Sequence, residues 1–205
     1  MFRLMLLPAM ALAACAAWSH GTEHAPAAAI QKEAVVPVPV RTATRNPRDY
    51  FGESVLLTQD GRKVRFYDDV LKDRVVVVNV MYTTCKDACP LITASLNQVR
   101  EQLGELFGSR VFFVSISSDP ERDTPRALKK FAQAQHADLE GWTFLTGSKD
   151  DVSHVLAKLG QLSQGAEDHS TVLLVMDVDG RRMRKMLANV PPLLITEHVK
   201  RIAAK

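Results

Sequence analysis

The chain predicts an α/β fold: a central mixed sheet flanked by helices on both faces, with an N-terminal β-hairpin. Three observations carry this. The run RVVVVNVMY (74–82) is rich in β-branched residues without polar alternation, as a strand covered on both faces requires. Segments with apolar residues at helical spacing alternate with further strand-like runs, and such alternation calls for helices packed on a sheet. Asp-Gly pairs at 60–61 and 179–180 sit between strand-like runs, the common hairpin signal.

From Tyr50 onward the elements follow in order. SVLLTQDGRKVRF reads as strand, Asp60-Gly61 turn and second strand, and RVVVVNVMY as the core strand. PLITASLNQVREQLGELF carries Leu91, Leu96, Val99, Leu103 and Leu106 at helical spacing, with Pro90 suited to the first turn. VFFVSIS (111–117) is a second buried strand. In SSDPERDTPRALKKFAQA, Asp123 or Thr124 can cap a helix whose first position is Pro125. This turn and capped helix account for Asp119 and Asp123, which otherwise resemble a metal pair. WTFL (142–145) is a short strand, and SKDDVSHVLAKLG begins on a Ser148 cap and stops at Gly160. STVLLVMDVDGRRMRKML forms a hairpin, and LLITEHVKRIAA a last helix.

At 205 residues, 46% hydrophobic and 24% charged, the chain accommodates one core plus a tail. The formal net charge of +3 is small, and RRMRK (181–185) is too short to track a phosphate backbone, so nucleic acid is excluded as a partner. The stretch reads as the solvated face of a strand or turn. Residues 1–19 read as an export signal: Arg3 precedes an uncharged run from Leu4 to Ala17, followed by small residues. Leu12-Ala13-Ala14-Cys15 fits a lipobox, with cleavage before Cys15 and lipid attached to it; cleavage after Ser19 is the alternative. Either way Cys85 and Cys89 remain the only cysteines able to act as thiols. Residues 20–48, rich in Ala, Pro and Val, read as a flexible tether in which His20 and His24 are solvated, and residues 49–205 as the folded domain.

MYTTCKDACP (81–90) ends the core strand and opens the next helix. In α/β sheets, sites form at the C-terminal ends of strands, and a helix starting there favours negative charge, hence thiolates. Two buried structural cysteines fit poorly in a short loop of an exported protein. Three functional readings remain. A dithiol oxidoreductase usually has two intervening residues, whereas here there are three. A thiol peroxidase needs an Arg beside the thiolate, and none is near in sequence although Thr83 and Thr84 are. A copper site needs two soft thiolates and a third donor, with an added imidazole favouring Cu(II). Of the remaining histidines, His136, His154 and His198 read as surface residues, whereas His169, in QGAEDHST, lies just before the penultimate strand.

From Asp49 to the C-terminus the chain resembles the Sco/SenC proteins, thioredoxin-like copper chaperones. The resemblance lies in DYFGESVLLTQDGRKVRFYDD, VVVNVMYTTCKDACP, SISSDPERDTP, WTFLTGS, EDHS before a strand, and DVDG. The family's CxxxCP falls on Cys85, Cys89 and Pro90, and its distal histidine on His169, 80 residues beyond Cys89. The resemblance implies a thioredoxin-like fold and a Cys85–Cys89–His169 site for Cu(I) or Cu(II). It implies that Cys85 and Cys89 also form a redox disulfide. It further implies delivery of copper to, or reduction of cysteines in, the dinuclear copper site of cytochrome c oxidase. The expected partners are oxidase subunit II or another copper protein and periplasmic thiol reductants. The expected location is the periplasmic side of a bacterial membrane, by lipid anchor or as soluble protein. Two departures bear on the site. Lys86 stands where relatives often have Pro and should favour the thiolates, tilting the loop toward thiol exchange; the strand after His169 has less aromatic content. Asp87 is a second candidate for tuning the site. No Pro occurs between Pro125 and Pro191, where a thioredoxin-type oxidoreductase carries one, and this favours metal over thiol exchange. A periplasmic thiol:disulfide oxidoreductase or a copper or redox sensor of the same fold is the alternative.

Overall fold

The computed structural model describes residues 46–162 and 171–204. Cys15, His20, His24 and His169 lie outside the described residues. The folded part begins with helix α1 (Pro47–Phe51), capped by the Asn46 side chain. The hairpin β1 (Val55–Thr58) and β2 (Lys63–Arg65) turns through Gly61, whose φ of 77° suits glycine. A π-helical segment, Phe66–Leu71, follows. Then come β3 (Val75–Met81), α2 (Ala88–Leu103), β4 (Val111–Ser117), α3 (Pro125–Ala134), β5 (Trp142–Gly147), α4 (Lys149–Lys158), β6 (Val172–Asp177), β7 (Arg182–Leu187) and α5 (Pro192–Ala203).

The seven strands form one sheet in the order β2-β1-β5-β4-β3-β6-β7. β3, β4 and β5 are parallel, and β1 and β6 flank them antiparallel, so the sheet is mixed as expected. Every residue of β3 is buried. Val75, Val77 and Met81 pack toward α2, α3 and α5, while Val76, Val78 and Val80 pack toward α1, the π-helical segment and α4. Covering both faces is what a seven-residue apolar strand demands, since each exposed valine would forfeit roughly 1.5–3 kcal/mol.

The caps read from the sequence are present. Thr124, not Asp123, accepts the Ala127 amide at 3.3 Å to start α3, and Ser148 accepts the Asp151 amide at 3.0 Å to start α4. The stripe of α2 is present at Leu96, Val99 and Leu103 but not at Leu91. Leu91 is 72% exposed, and the buried face is Cys89, Ile92, Leu96, Val99 and Leu103. Leu91 is five positions before Leu96, about 140° round the helix, whereas Ile92 and Cys89 share the face of Leu96; because α2 already starts at Ala88, Cys89 is part of the helix and of that face. The β6–β7 hairpin turns at 178–181, with Arg181 rather than Gly180 in the left-handed region (φ 53°). Asp179 in that turn accepts the Tyr67 hydroxyl at 2.8 Å and the Asp73 amide at 2.6 Å, tying the hairpin to the approach to β3.

One polar chain crosses the core. Trp142 Nε1 donates to Ser115 Oγ at 3.0 Å, and that hydroxyl donates to Asn79 Oδ1 at 2.7 Å. All three residues are buried, so each polar atom needs its partner. Ser115→Ala strands the indole N–H and is expected to destabilise the fold by about 1–3 kcal/mol, read as a lowered urea midpoint at unchanged slope.

Candidate metal centre

β3 runs straight into the cysteine loop. After Met81 the chain turns, the Cys85 amide donating to the Tyr82 carbonyl at 3.2 Å, and α2 begins at Ala88. Cys85 is 8% exposed and Cys89 fully buried; both are free thiols. The Cys89 amide, in the first turn of α2, donates to Cys85 Sγ at 3.3 Å. The two thiols are themselves in hydrogen-bond contact. The loop therefore presents one sulfur at the surface with a second directly behind it.

The environment separates the two. Burial works against the Cys85 thiolate, but the Cys89 thiol, the Cys89 and Asp87 amides and the Tyr82 hydroxyl all donate to it, and together they hold its pKa below the ordinary 9.0. Amides at a helix start are the donors expected to do this. Burial pushes Cys89 the other way, up to about 12, reinforced by the hydrogen bond it donates to Cys85 and by the charges of Cys85 and Asp123. Lys86 and Asp87 are exposed in the loop.

Asp123 is the residue that the linear pattern did not assign to this site. It is 1% exposed and accepts the Thr83 amide at 3.2 and 3.1 Å, the Thr83 hydroxyl, and the Ser117 hydroxyl at 2.6 Å. It therefore clamps the strand β3 exit to the end of β4. Burial raises its pKa, with the Ser117 and Thr83 donors opposing. A signal for it existed in SSDPERDTP: Thr124 and Pro125 already supply the cap and first position of α3, so Asp123 must find partners elsewhere. Asp119 does not join it in a metal pair, pairing instead with Arg122 at 3.1 Å.

Among the described residues no group of three His, Cys, Asp or Glu side chains converges to hold a metal. His136 and His154 are exposed and His198 lies on α5, as expected of surface histidines. β6 pairs antiparallel with β3, Val78 opposite Leu174, so the beginning of β6 at Val172 is at the same end of the sheet as the cysteine loop. His169 lies three positions before Val172, outside the described residues.

A dithiol loop at the C-terminal end of the central strand, followed at once by a helix on a mixed sheet, defines a thioredoxin-like protein. Within that class the chain belongs to the SCO1/SenC family, whose family model matches residues 42–204. A SCO1/SenC family lipoprotein from Bacillus anthracis is similar at 31% identity, over 74% of this chain and 92% of that one, with a TM-score of 0.63. Copper-bound ScoI from Arabidopsis thaliana is similar at 26% identity, over 75% and 98%, with a TM-score of 0.64. BsSco, described as a Sco-family cytochrome c oxidase assembly protein with a disulfide switch, is similar at 27% identity, over 73% and 91%, with a TM-score of 0.62. The chain spans 45% of the length of one curated relative and 75% of another. No described helix is long and apolar enough to cross a membrane.

Two outcomes follow for the thiols. Iodoacetamide at neutral to mildly basic pH is expected to label Cys85 alone, at a rate that rises with pH as its thiolate forms, with a midpoint below 9.0; Cys89, held near 12, stays unlabelled. Peptide mass mapping against pH reads both. Asp123→Asn removes the charge and one acceptor oxygen, and is expected to lower stability by about 1–3 kcal/mol and to accelerate labelling of Cys89, measured by urea unfolding and the same mapping.

Proposed function

We propose that the protein is a copper-binding chaperone acting in assembly of the dinuclear copper site of cytochrome c oxidase, with Cys85, Cys89 and His169 as its ligands. The observation that carries this reading is the pair of contacting free thiols at the start of α2. Two soft sulfurs suit Cu(I), and an imidazole added to them suits Cu(II). His169 is within reach: it stands three positions from a strand end beside the loop, a span of at most about 11 Å. The copper-bound Arabidopsis relative and the oxidase assembly role stated for BsSco support the cargo and the client. Copper here is cargo, received and released. What the chain supplies is a preformed pocket: helix-start amides that favour thiolate at Cys85, a buried second sulfur, and the Asp123 clamp that fixes the loop.

The asymmetry of the thiols favours a second activity of the same loop, reduction of the client's cysteines by the Cys85–Cys89 couple. The Cys85 thiolate attacks a client disulfide, forming a mixed disulfide and releasing one client thiolate. Cys89 then loses its proton to solvent and displaces the second client sulfur, leaving Cys85–Cys89 oxidised and the client reduced by two electrons. A periplasmic thiol reductant returns the pair to the dithiol. Lys86 and Asp87 are the exposed charges placed to tune either activity or to meet the client. The export signal over residues 1–19, with lipid on Cys15 or cleavage after Ser19, and the tether to residue 48 would hold the domain on the periplasmic side of a membrane; the lipoprotein relative supports the anchored form.

Copper titration tests the ligand set. Wild type is expected to take one equivalent, Cys85→Ser and Cys89→Ser none, and His169→Ala at least about tenfold weaker binding for loss of one ligand. Equal binding by His169→Ala removes the three-ligand site, and copper-loaded protein that transfers no metal while the dithiol still reduces apo-subunit II assigns the loop to thiol exchange.

A further inference from the structure

The far end of the sheet from the cysteine loop carries a charge pattern that the loop's chemistry does not use. β7 is the sheet's edge strand, and its first residue, Arg182, is opposite Asp177 at the end of β6, which in turn is opposite Val75 at the start of β3. Seven residues of strand separate this end from the loop, on the order of 20 Å. Arg181, Met183, Arg184, His198, Arg201 and Ile202 line a cleft of 370 Å³ between β7 and the last turns of α5. Arg182 also lines it but is neutralised by buried Asp177, as Arg110 partly is. No carboxylate lines the cleft, and Arg181, Arg184 and Arg201 form no ion pair among the described residues. Met183, set between two of these arginines in sequence, is 59% exposed.

The chain N-terminal to the domain arrives at this same end. α1 begins at Pro47, and Pro47, Tyr50 and Phe51 line a second, apolar hollow of 210 Å³ together with Arg181, Arg182 and Met183. Tyr50, like Met183, is an exposed large apolar residue, at 38%. Thirty residues lie between Cys15 and Asn46, a reach on the order of 100 Å if extended. A connection of that length sets no orientation; a second contact is needed to do so. Guanidiniums without counter-ions, flanked by an exposed methionine and tyrosine at the point where the chain arrives, have the composition of a surface that meets anionic headgroups.

We infer that the β7 edge and the end of α5 form a docking surface for anionic phospholipid, which seats the domain on the membrane with the cysteine loop directed away from it. Arg181, Arg184 and Arg201 meet the phosphates, and Met183 and Tyr50 lie at the headgroup level. The loop would then face a client's extramembrane domain some 20 Å above the headgroups. The inference rests on the membrane placement proposed above and not on copper.

The experiment uses the full chain with Cys15→Ser, so that no acyl chain contributes, and sedimentation with phosphatidylglycerol–phosphatidylcholine vesicles or pure phosphatidylcholine vesicles without metal. Partition onto the anionic vesicles is expected to exceed that onto the neutral ones by at least about tenfold at low salt, and to fall as salt is added. The combined Arg181→Glu, Arg184→Glu and Arg201→Glu variant is expected to lose the preference. The corresponding glutamine variant serves if the charge reversal fails to fold. In Met183→Cys protein, a water-soluble maleimide should label residue 183 several-fold more slowly on anionic vesicles, while labelling of Cys85 is unchanged. Equal partition onto the two vesicles, a preference that survives the substitutions, or arginines that retain an acidic protein but not anionic vesicles would each overturn the inference. Copper titration is a separate measurement, and mass spectrometry of the mature N-terminus separately tests the anchor.

Discussion

A strand that is apolar on both faces must be covered on both faces and paired on both edges, and β3 sets this requirement for the whole molecule. All seven of its residues are buried, β4 and β6 take its two edges, and the helices divide between its two sides. The single polar residue of the strand, Asn79, can be buried because Ser115 on the neighbouring strand and Trp142 on the next complete its hydrogen bonding. The cysteine loop inherits this rigidity. It starts where the strand ends, so its position relative to α2 is determined by the best-packed part of the fold, and the Asp123 clamp removes the remaining freedom at Thr83.

The chemistry of the loop follows from where α2 starts. Had the helix begun at Pro90, Cys89 would sit outside it with its amide free. Beginning at Ala88, the helix places the Cys89 amide against the Cys85 sulfur and turns the Cys89 side chain onto the core face. One geometric fact thus yields both a thiolate-favouring site at Cys85 and a desolvated thiol at Cys89. An exchange reaction wants this inequality, a ready nucleophile and a reserve; a metal wants two sulfurs in reach of each other. The loop's geometry supplies the inequality and the proximity together.

Much of this was legible in the sequence because local rules produced it. The valine run, the Asp-Gly turn at 60–61, the Thr124 and Ser148 caps and the basic solvated strand at 181–185 each depend on a few neighbouring residues, and each is present. The partnership of Asp123 with Thr83 spans 40 residues and exists only once β3 and β4 are side by side, so no local pattern announces it. Leu91 departs from the buried stripe for a smaller reason. Leu91 stands five positions before Leu96, about 140° away round a helix of 3.6 residues per turn, whereas Ile92 and Cys89, four and seven positions before it, fall on the buried face. His169, which the family resemblance implies as a third ligand, lies outside the described residues.

The two ends of the sheet are chemically unlike, and the strand directions explain why this can persist in one small domain. Parallel β3, β4 and β5 all finish at the cysteine end, where the start of α2 concentrates helix amides and soft sulfur. Antiparallel β6 and β7 send their connecting turn to the opposite end, and the last helix runs back to meet it, bringing Arg201 beside Arg181 and Arg184. Placed near the thiols, those guanidiniums would stabilise thiolate strongly and compete for the sulfur lone pairs that a soft metal needs. At a separation of on the order of 20 Å, beyond the Debye length of about 8 Å at physiological ionic strength, they do neither. The topology therefore lets a strongly basic surface and a finely poised dithiol coexist, so that contacts made at one end leave the reactivity at the other unchanged.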